Sequence, residues 1–449
     1  MIPTRLLRVL RALCLTLISL TVLSLGLRGP LGYAQEATKT DFIIEVNKPG
    51  NRDVPIAIPK PTGGSAMVDT VWEVVRHDLE MSGYFKVLNP DAFIEPASAG
   101  LEPGTFKFED WDVPDAVVLG KTKVESVGDK VRAEVWVYDV PGRRKLGAKA
   151  FTGDPNQARR MGHRIADEII LQVTGEPGIF NTRFAVVTQR SGNKEIALVD
   201  VDGEGFTSIT QNGSINLQPA WSKDGAKIAF TSYRSGNPDI YIADLARGRT
   251  TRLSARPGVN IGAAWHPAGD RLAVTLSSNG SGDTDLFMLE AETGRNLGQL
   301  TNASGIDVSP AFSPDGGQVA FASERSGGVQ IYVMSAAGGD ARRVTFNGGH
   351  NTDPAWSPKG DKIAYVSRDG VFDVFTVGTD GKGAVRITQG QGDNEDPTWS
   401  PDGRYLAFSS TRSGGNHIWM STADGRHQVQ STKGKGGYSN PSWSPRLSW

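Results

Sequence analysis

Cysteine is almost absent from this 449-residue chain: the single one, Cys14, lies inside an apolar run near the start. A chain without that run has no disulfide, no catalytic thiol and no thiolate-held metal open to it. Histidine is scarce too, and the six present (His77, His163, His266, His350, His417 and His427) show no H-E-x-x-H or other recurring ligand spacing. No G-x-S-x-G elbow occurs, and no G-x-G-x-x-G follows a strand-like run. There is no basic block and the formal net charge is -1, which argues against nucleic acid as a partner. Only one long apolar run exists, Leu13 to Leu27.

That run follows Arg5, Arg8 and Arg11 and is followed by the small-x-small pattern Gly32-Tyr33-Ala34. The order of charged, apolar and small-residue regions predicts a secretory signal over residues 1–34, cleaved after Ala34. The expected destination is therefore the periplasm, reached by a chain stabilised through packing alone.

What the sequence has in abundance is glycine (54), proline (25) and a repeat. The unit reads P-A-W-S-P-D-G, an apolar strand, R-S-G, an I-Y-V strand, then L-T. Its aromatic anchor recurs at Trp221, Trp265, Phe312, Trp356, Trp399 and Trp443, at intervals of 44, 47, 44, 43 and 44 residues. Such a period suits one four-stranded propeller blade per unit. Second strands are predicted at Lys227 to Ser232, Arg271 to Leu276, Gln318 to Ser323, Lys362 to Ser367 and Tyr405 to Ser410. Asp224-Gly225, Asp315-Gly316, Lys359-Gly360 and Asp402-Gly403 supply the preceding turns, where glycine accepts a positive φ.

The ends of the repeat complete each other. Arg183 to Thr188, Glu195 to Asp200 and Thr207 to Thr210 read as second, third and fourth strands with no first strand before them. Pro441-Ser442-Trp443-Ser444-Pro445 is a first strand with no blade after it. Pairing the two closes a six-bladed ring and removes its open sheet edge.

Residues 35–175 lack the repeat and predict an α/β domain, so the domains are 1–34, 35–175 and 176–449. Val68, Val71, Trp72, Val75 and Leu79 form the stripe of a helix stopped by Gly83. Strands are expected at Asp115 to Lys121, Lys130 to Tyr138 and Lys145 to Thr152. A second helix opens at Asp154-Pro155 and carries Ile165, Ile169 and Val173 on one side. Both helices are expected on one face of a small mixed sheet. The segment from Glu36 to Gly50 is mostly polar apart from Phe42, Ile43, Ile44 and Val46, and reads as an edge strand or a tail.

Two sets of polar residues recur beside the strands. Five residues before each anchor stand Asn216, Asn260, Asp307, Asn351, Asn394 and Tyr438, and just before the blade prolines stand Gln218, Ser309, Asp353, Asp396 and Asn440. Both sets are expected in loops at the mouth of the central channel, suited to hydrogen bonding with an inserted peptide. Arg190, Arg234, Arg325, Arg368 and Arg412 open the turns between second and third strands on the same face. Together they make an acceptor for acidic or carbonyl-rich protein surface. The plainer alternative is that these residues serve the turns alone.

With its signal peptide, the F-I-I-E-V segment from Phe42 to Val46, the stretch Asp78-Leu79-x-x-Ser82-Gly83-x-Phe85-x-Val87 and the P-A-W-S-P-D-G repeats, the chain resembles the TolB family of the Tol-Pal system. The resemblance implies a non-enzymatic periplasmic adaptor without a cofactor. It implies binding of the lipoprotein Pal through the propeller loops, and of TolA through the mature N-terminal segment, here Glu36, Phe42, Ile43, Ile44, Glu45 and Val46. It also implies support of outer-membrane integrity and of envelope constriction during division. Other outer-membrane or peptidoglycan-associated proteins are further candidate partners, and a monomer is expected before partner binding. The family's usual E-I-T-Q-G-V reads Glu45-Val46-Asn47-Lys48-Pro49-Gly50 here. A propeller enzyme or carbohydrate-binding module is the alternative, distinguished by converging carboxylates and turnover.

Overall fold

The computed structural model describes residues 54–61, 65–96, 99–277 and 282–447. The signal segment and the N-terminal positions Glu36, Phe42, Ile43, Ile44, Glu45 and Val46 lie outside the described residues. Among the described residues no helix is long and apolar enough to cross a membrane.

The N-terminal domain runs β1 (Val54–Ala57), α1 (Ala66–Met81), β2 (Phe85–Val87), β3 (Val118–Val127), β4 (Lys130–Asp139), β5 (Arg144–Gly153) and α2 (Ala158–Thr174). The sheet order is β2-β1-β3-β4-β5, with β1 parallel to both neighbours and the remaining pairs antiparallel. Helix α1 starts where the Ser65 side chain accepts the amide of Val68, and α2 ends at Gly175, whose φ of 75° is left-handed. Val68, Val71, Val75 and Leu79 of α1 and Ile165, Ile169 and Val173 of α2 pack with Val131, Val135 and Val137 of β4. The helices touch closely because Gly162 has no side chain; a Cβ there would stand 2.7 Å from Val74.

Strands β1 and β2 were not among the expected ones. They are only four and three residues long, and Pro55 sits inside β1. Proline is accommodated because the ladder to β3 begins just beyond it, with Ile56 opposite Val118. The face away from the helices is covered by the segment between β2 and β3, which buries Phe106 and Trp111 against Leu119 and Tyr138. Trp72, expected in the apolar stripe, is only half-buried, and its indole donates to the carbonyl of Ile58 at 3.0 Å.

Six four-stranded antiparallel sheets follow. Blade 1 joins Arg183–Thr188, Glu195–Asp200 and Thr207–Ser208 to the C-terminal strand Tyr438–Trp443, which pairs with Arg183–Thr188 in the expected direction. Blades 2 to 6 begin with inner strands Asn216–Trp221, Asn260–Trp265, Asp307–Phe312, Asn351–Trp356 and Asn394–Trp399. Two of the anchors tie a blade to the one before it: the Trp265 indole donates to Ala220 O and that of Trp399 to Ala355 O, both at 3.0 Å. At the closing seam the Trp443 indole donates to the Thr182 hydroxyl at 2.8 Å.

Candidate partner-binding face and central channel

Alternate connections of an antiparallel blade return to one side. One face therefore carries the turns between second and third strands, together with the loops leading into the inner strands. Backbone bonds lace these together: Tyr233 N donates to Ile215 O, Arg368 N to His350 O and Thr411 N to Asp393 O.

The arginines on this face divide into two kinds. Arg190, Arg234 and Arg368 are exposed. Each lies over an aromatic ring that supports it: Arg190 over Phe206, Arg234 over Tyr241 at 3.7 Å, and Arg368 over Phe372. Arg325 and Arg412 are half-buried and bound within the protein. Arg325 grips both carboxylate oxygens of Asp307 at 2.9 and 3.1 Å. Arg412 donates to Asn394 Oδ1 at 2.7 Å, to Ser410 Oγ and to Gln428 Oε1. Five guanidiniums were expected at the surface; three are presented.

A larger correction concerns Asn216, Asn260, Asp307, Asn351 and Asn394. They open the inner strands and are almost wholly shut off from solvent. Buried polar groups seek partners, and the side-chain N–H groups of the four asparagines find them within the protein. Asn351 donates to Gln330 Oε1 at 2.8 Å, and the hydroxyl of Thr345 donates to the same oxygen at 2.8 Å. Asn216 with Glu195 and Thr210, and Asn394 with Asp373 and Thr388, repeat the arrangement. Asn260 uses Ser254 and the Arg256 carbonyl. The set braces the loop between outer and inner strands, and offers no groups to an incoming peptide.

Gln218, Ser309, Asp353, Asp396 and Asn440 are also moved from their expected place. They sit inside the inner strands rather than in the mouth loops, each at a bulge with φ between 47° and 54°. The sixth bulge is at Gly262, with φ 64°. The left-handed backbone turns these residues into the channel, where with their neighbours they line a cavity of about 150 Å³. Asp396 accepts from Ser409 Oγ at 2.9 Å, Asn440 Nδ2 at 2.7 Å and Asn440 N at 3.2 Å. Asp353 accepts from Ser309 Oγ at 3.1 Å. Burial, and then the charge of Asp396, raise the Asp353 carboxyl above the ordinary range, and burial raises Asp396. The lining side chains are carboxylate, amide, hydroxyl, proline and alanine. Those groups bind and orient; none of them pairs a nucleophile with an imidazole base.

The opposite face is occupied by the N-terminal domain, which packs on blades 1 and 6. Tyr405 donates its hydroxyl to Ser82 O at 2.8 Å and packs edge-on against Tyr84. Arg404 and Arg446 donate to carbonyls of the linker at Pro177 and Gly178. Arg159 of α2 pairs with Asp202 of blade 1. His163 lies beside this pair, between Asp78 and Asp202, and the three are buried close enough together to be considered for a metal. Arg159 and the Asp78–His163 bond already engage that trio. Sequence reading missed it. The available signal was Arg159, His163 and Asp167, each four residues from the next and so on one polar stripe of α2.

Comparison with known proteins agrees with both halves of the fold. Residues 171–447 match the model of the TolB β-propeller domain, and residues 42–146 that of the TolB amino-terminal domain. The chain is 40% identical over 352 residues to the Tol-Pal system protein TolB of Anaeromyxobacter dehalogenans, covering 77% of this chain and 67% of that relative. It is 40% identical over 193 residues to the protein of the same name from Geobacter sulfurreducens, covering 42% and 44%. The crystal structure of TolB from Acinetobacter baumannii superposes with a TM-score of 0.78 at 25% identity, over 88% of this chain and 97% of that one.

Proposed function

This chain belongs to the TolB family, and from that premise we propose that it is a non-enzymatic adaptor of the Tol-Pal system working in the periplasm. In this reading it binds Pal through the loop face of the propeller, and TolA through the segment that includes Glu36, Phe42, Ile43, Ile44, Glu45 and Val46. It thereby supports outer-membrane integrity and envelope constriction during division.

The observation that carries the reading is the contrast between the propeller's two faces. One is taken up by the N-terminal domain, while the other presents Arg190, Arg234 and Arg368 on aromatic supports around a polar channel. Guanidiniums held over rings lose little freedom on docking and suit an acidic or carbonyl-rich partner. The test is binding of the soluble Pal domain to the full mature chain and to a variant with Arg190, Arg234 and Arg368 changed to Glu. A loss of at least about tenfold, or ~1.4 kcal/mol, is expected in a variant that melts normally. Unchanged affinity would place Pal elsewhere. Removing Glu36 to Lys48 should abolish TolA binding and leave Pal binding intact; TolA binding by the shortened chain would reject that segment.

A further inference from the structure

A buried charge cluster joins the N-terminal domain to blade 1, on the side away from the proposed partner face. Its centre is His163 of α2, which is 3% exposed. The ring's Nδ1 is 2.7 Å from Oδ2 of Asp78, a fully buried residue of α1. Its Nε2 points at blade 1, 3.9 Å from Oδ2 of Asp200 and 3.9 Å from Oδ2 of Asp202, and has no hydrogen-bond partner. Three elements thus meet on one imidazole.

Charge counting identifies what the ring must carry. Arg159 pairs with Asp202, and Arg183 Nε pairs with Asp200 at 2.8 Å. With a neutral ring, three carboxylates, two of them buried, face two partly exposed guanidiniums. With an imidazolium the charges balance. A divalent cation on a neutral ring would overshoot to positive beside two arginines. The groups around this core are His77 and Glu80 on α1, Arg160 and Asp167 on α2, and Lys433 from blade 6.

We infer that His163 is a protonated latch between the N-terminal domain and the propeller, engaged near neutral pH and released when the ring loses its proton in alkaline solution. Burial alone would make the ring give up its proton easily. The charge and hydrogen bond of Asp78, then Asp202 and Asp200, more than offset burial and lift it to about 9. Burial pushes Asp78 up to about 6, against the pull of His163. The ionised pair is therefore the populated form between about 6 and 9. Because the folded value for the ring is raised, its stabilisation is complete below the ordinary imidazole value of about 6.5 and fades as the pH climbs through 9. Release does not separate the domains, since Tyr405 still holds Ser82 and packs on Tyr84. It loosens α2 and the linker against blade 1.

The experiment uses the full mature chain, with His163→Gln and Asp202→Asn as variants. Melting temperature and amide exchange over Arg159 to Thr182 are followed from pH 6 to pH 10, and the ring is titrated by NMR. In the parent chain the expected result is a ring midpoint of about 9. Exchange over that stretch should quicken as the pH passes through the midpoint. His163→Gln should already exchange fast at pH 7 and lose that step. Asp202→Asn, which keeps shape and the histidine, should lower the midpoint toward the ordinary value. A midpoint at or below about 6.5 overturns the inference. So does an exchange step of equal size in His163→Gln. Stabilisation of the parent by added Zn2+, lost in His163→Gln, would overturn it in favour of a metal.

Discussion

Asp167 of α2 accepts the backbone amide of Asn181 at 3.0 Å, and with its other oxygen that of Phe180 at 2.8 Å. The same short stretch is held from the other side by the C-terminus: Asn181 Nδ2 donates to Leu447 O, and Arg183 N donates to Ser444 Oγ. The first strand of the propeller is thus pinned at once to the N-terminal domain and to the strand that closes the ring. Burial pushes the Asp167 carboxyl up to about 7, although both amides favour its charged form. The folded chain therefore binds this proton more tightly than the unfolded one. The group's contribution to stability is whole below pH 4 and is lost as the pH rises through 7.

Asp167→Asn carries no charge but keeps one acceptor oxygen for two amides, so at pH 8 it is expected to lower the melting temperature less than Asp167→Ala does. Asp167→Ala leaves two buried amides unpaired and should cost about 1–3 kcal/mol. Equal destabilisation by both, measured by thermal or denaturant unfolding, would show that the charge rather than the acceptor matters.

Ring closure depends on Tyr438–Trp443, and a chain ended before Tyr438 should fold poorly or melt far lower. The strand's loss bares the ladder of Arg183–Thr188 and removes the packing of Trp443 against Phe184, whose ring centroids are 4.7 Å apart. The milder Trp443→Ala should cost about 3–5 kcal/mol, as large-to-small changes of a buried aromatic do. Soluble expression and unfolding midpoints check both, and normal melting of the shortened chain would refute closure by this strand.

The propeller was legible in the sequence because its period repeats. Anchor spacing, Asp-Gly turns and the split unit all follow from one blade geometry copied six times. The two helices were legible from their stripes and stop signals, whereas β1 and β2 were too short to show a period. The candidate site was harder to read for a physical reason. A residue repeated in every blade is repeated for folding first, and Asn216, Asn351 and Asn394 are buried braces. Sequence spacing also cannot tell a loop from a bulge. Gln218 and Asp353 looked like mouth residues until the left-handed backbone at each put them in the channel.

That distinction predicts how the arginines divide. Arg325→Ala frees the buried Asp307 carboxylate, and Arg412→Ala strands Gln428 Oε1 and leaves Asn394 Oδ1 with the Ser410 hydroxyl alone. Each should lower stability by about 1–3 kcal/mol, because a buried polar group loses its partner. Arg190→Ala, Arg234→Ala and Arg368→Ala should each lie within about 0.5 kcal/mol of the parent. Unfolding curves for the five variants decide it, and a uniform loss across all five would erase the division.

The last prediction concerns the two channel carboxylates. Asp396 is held by three donors from Ser409 and Asn440, and Asp353 by the hydroxyls of Ser309 and Thr352. Donors favour the ionised form, so Asp396 keeps its charge and Asp353 takes the proton that the pair shares. Both are raised, chiefly by burial. Ionising Asp353 beside a charged Asp396 therefore costs the folded chain something it does not cost the unfolded one. The favourable contribution is present in acid and is lost as the pH rises through the folded value. Asp353→Asn removes that cost while keeping an oxygen for Ser309. Its melting temperature should trail or equal the parent's at pH 5 and exceed it by a few degrees at pH 9. Asp396→Asn should be destabilising at both, since the Asn440 amides then compete for a poorer acceptor. Should the gap between parent and Asp353→Asn stay constant from pH 5 to pH 9, the two carboxylates do not share a proton and the channel carries both charges.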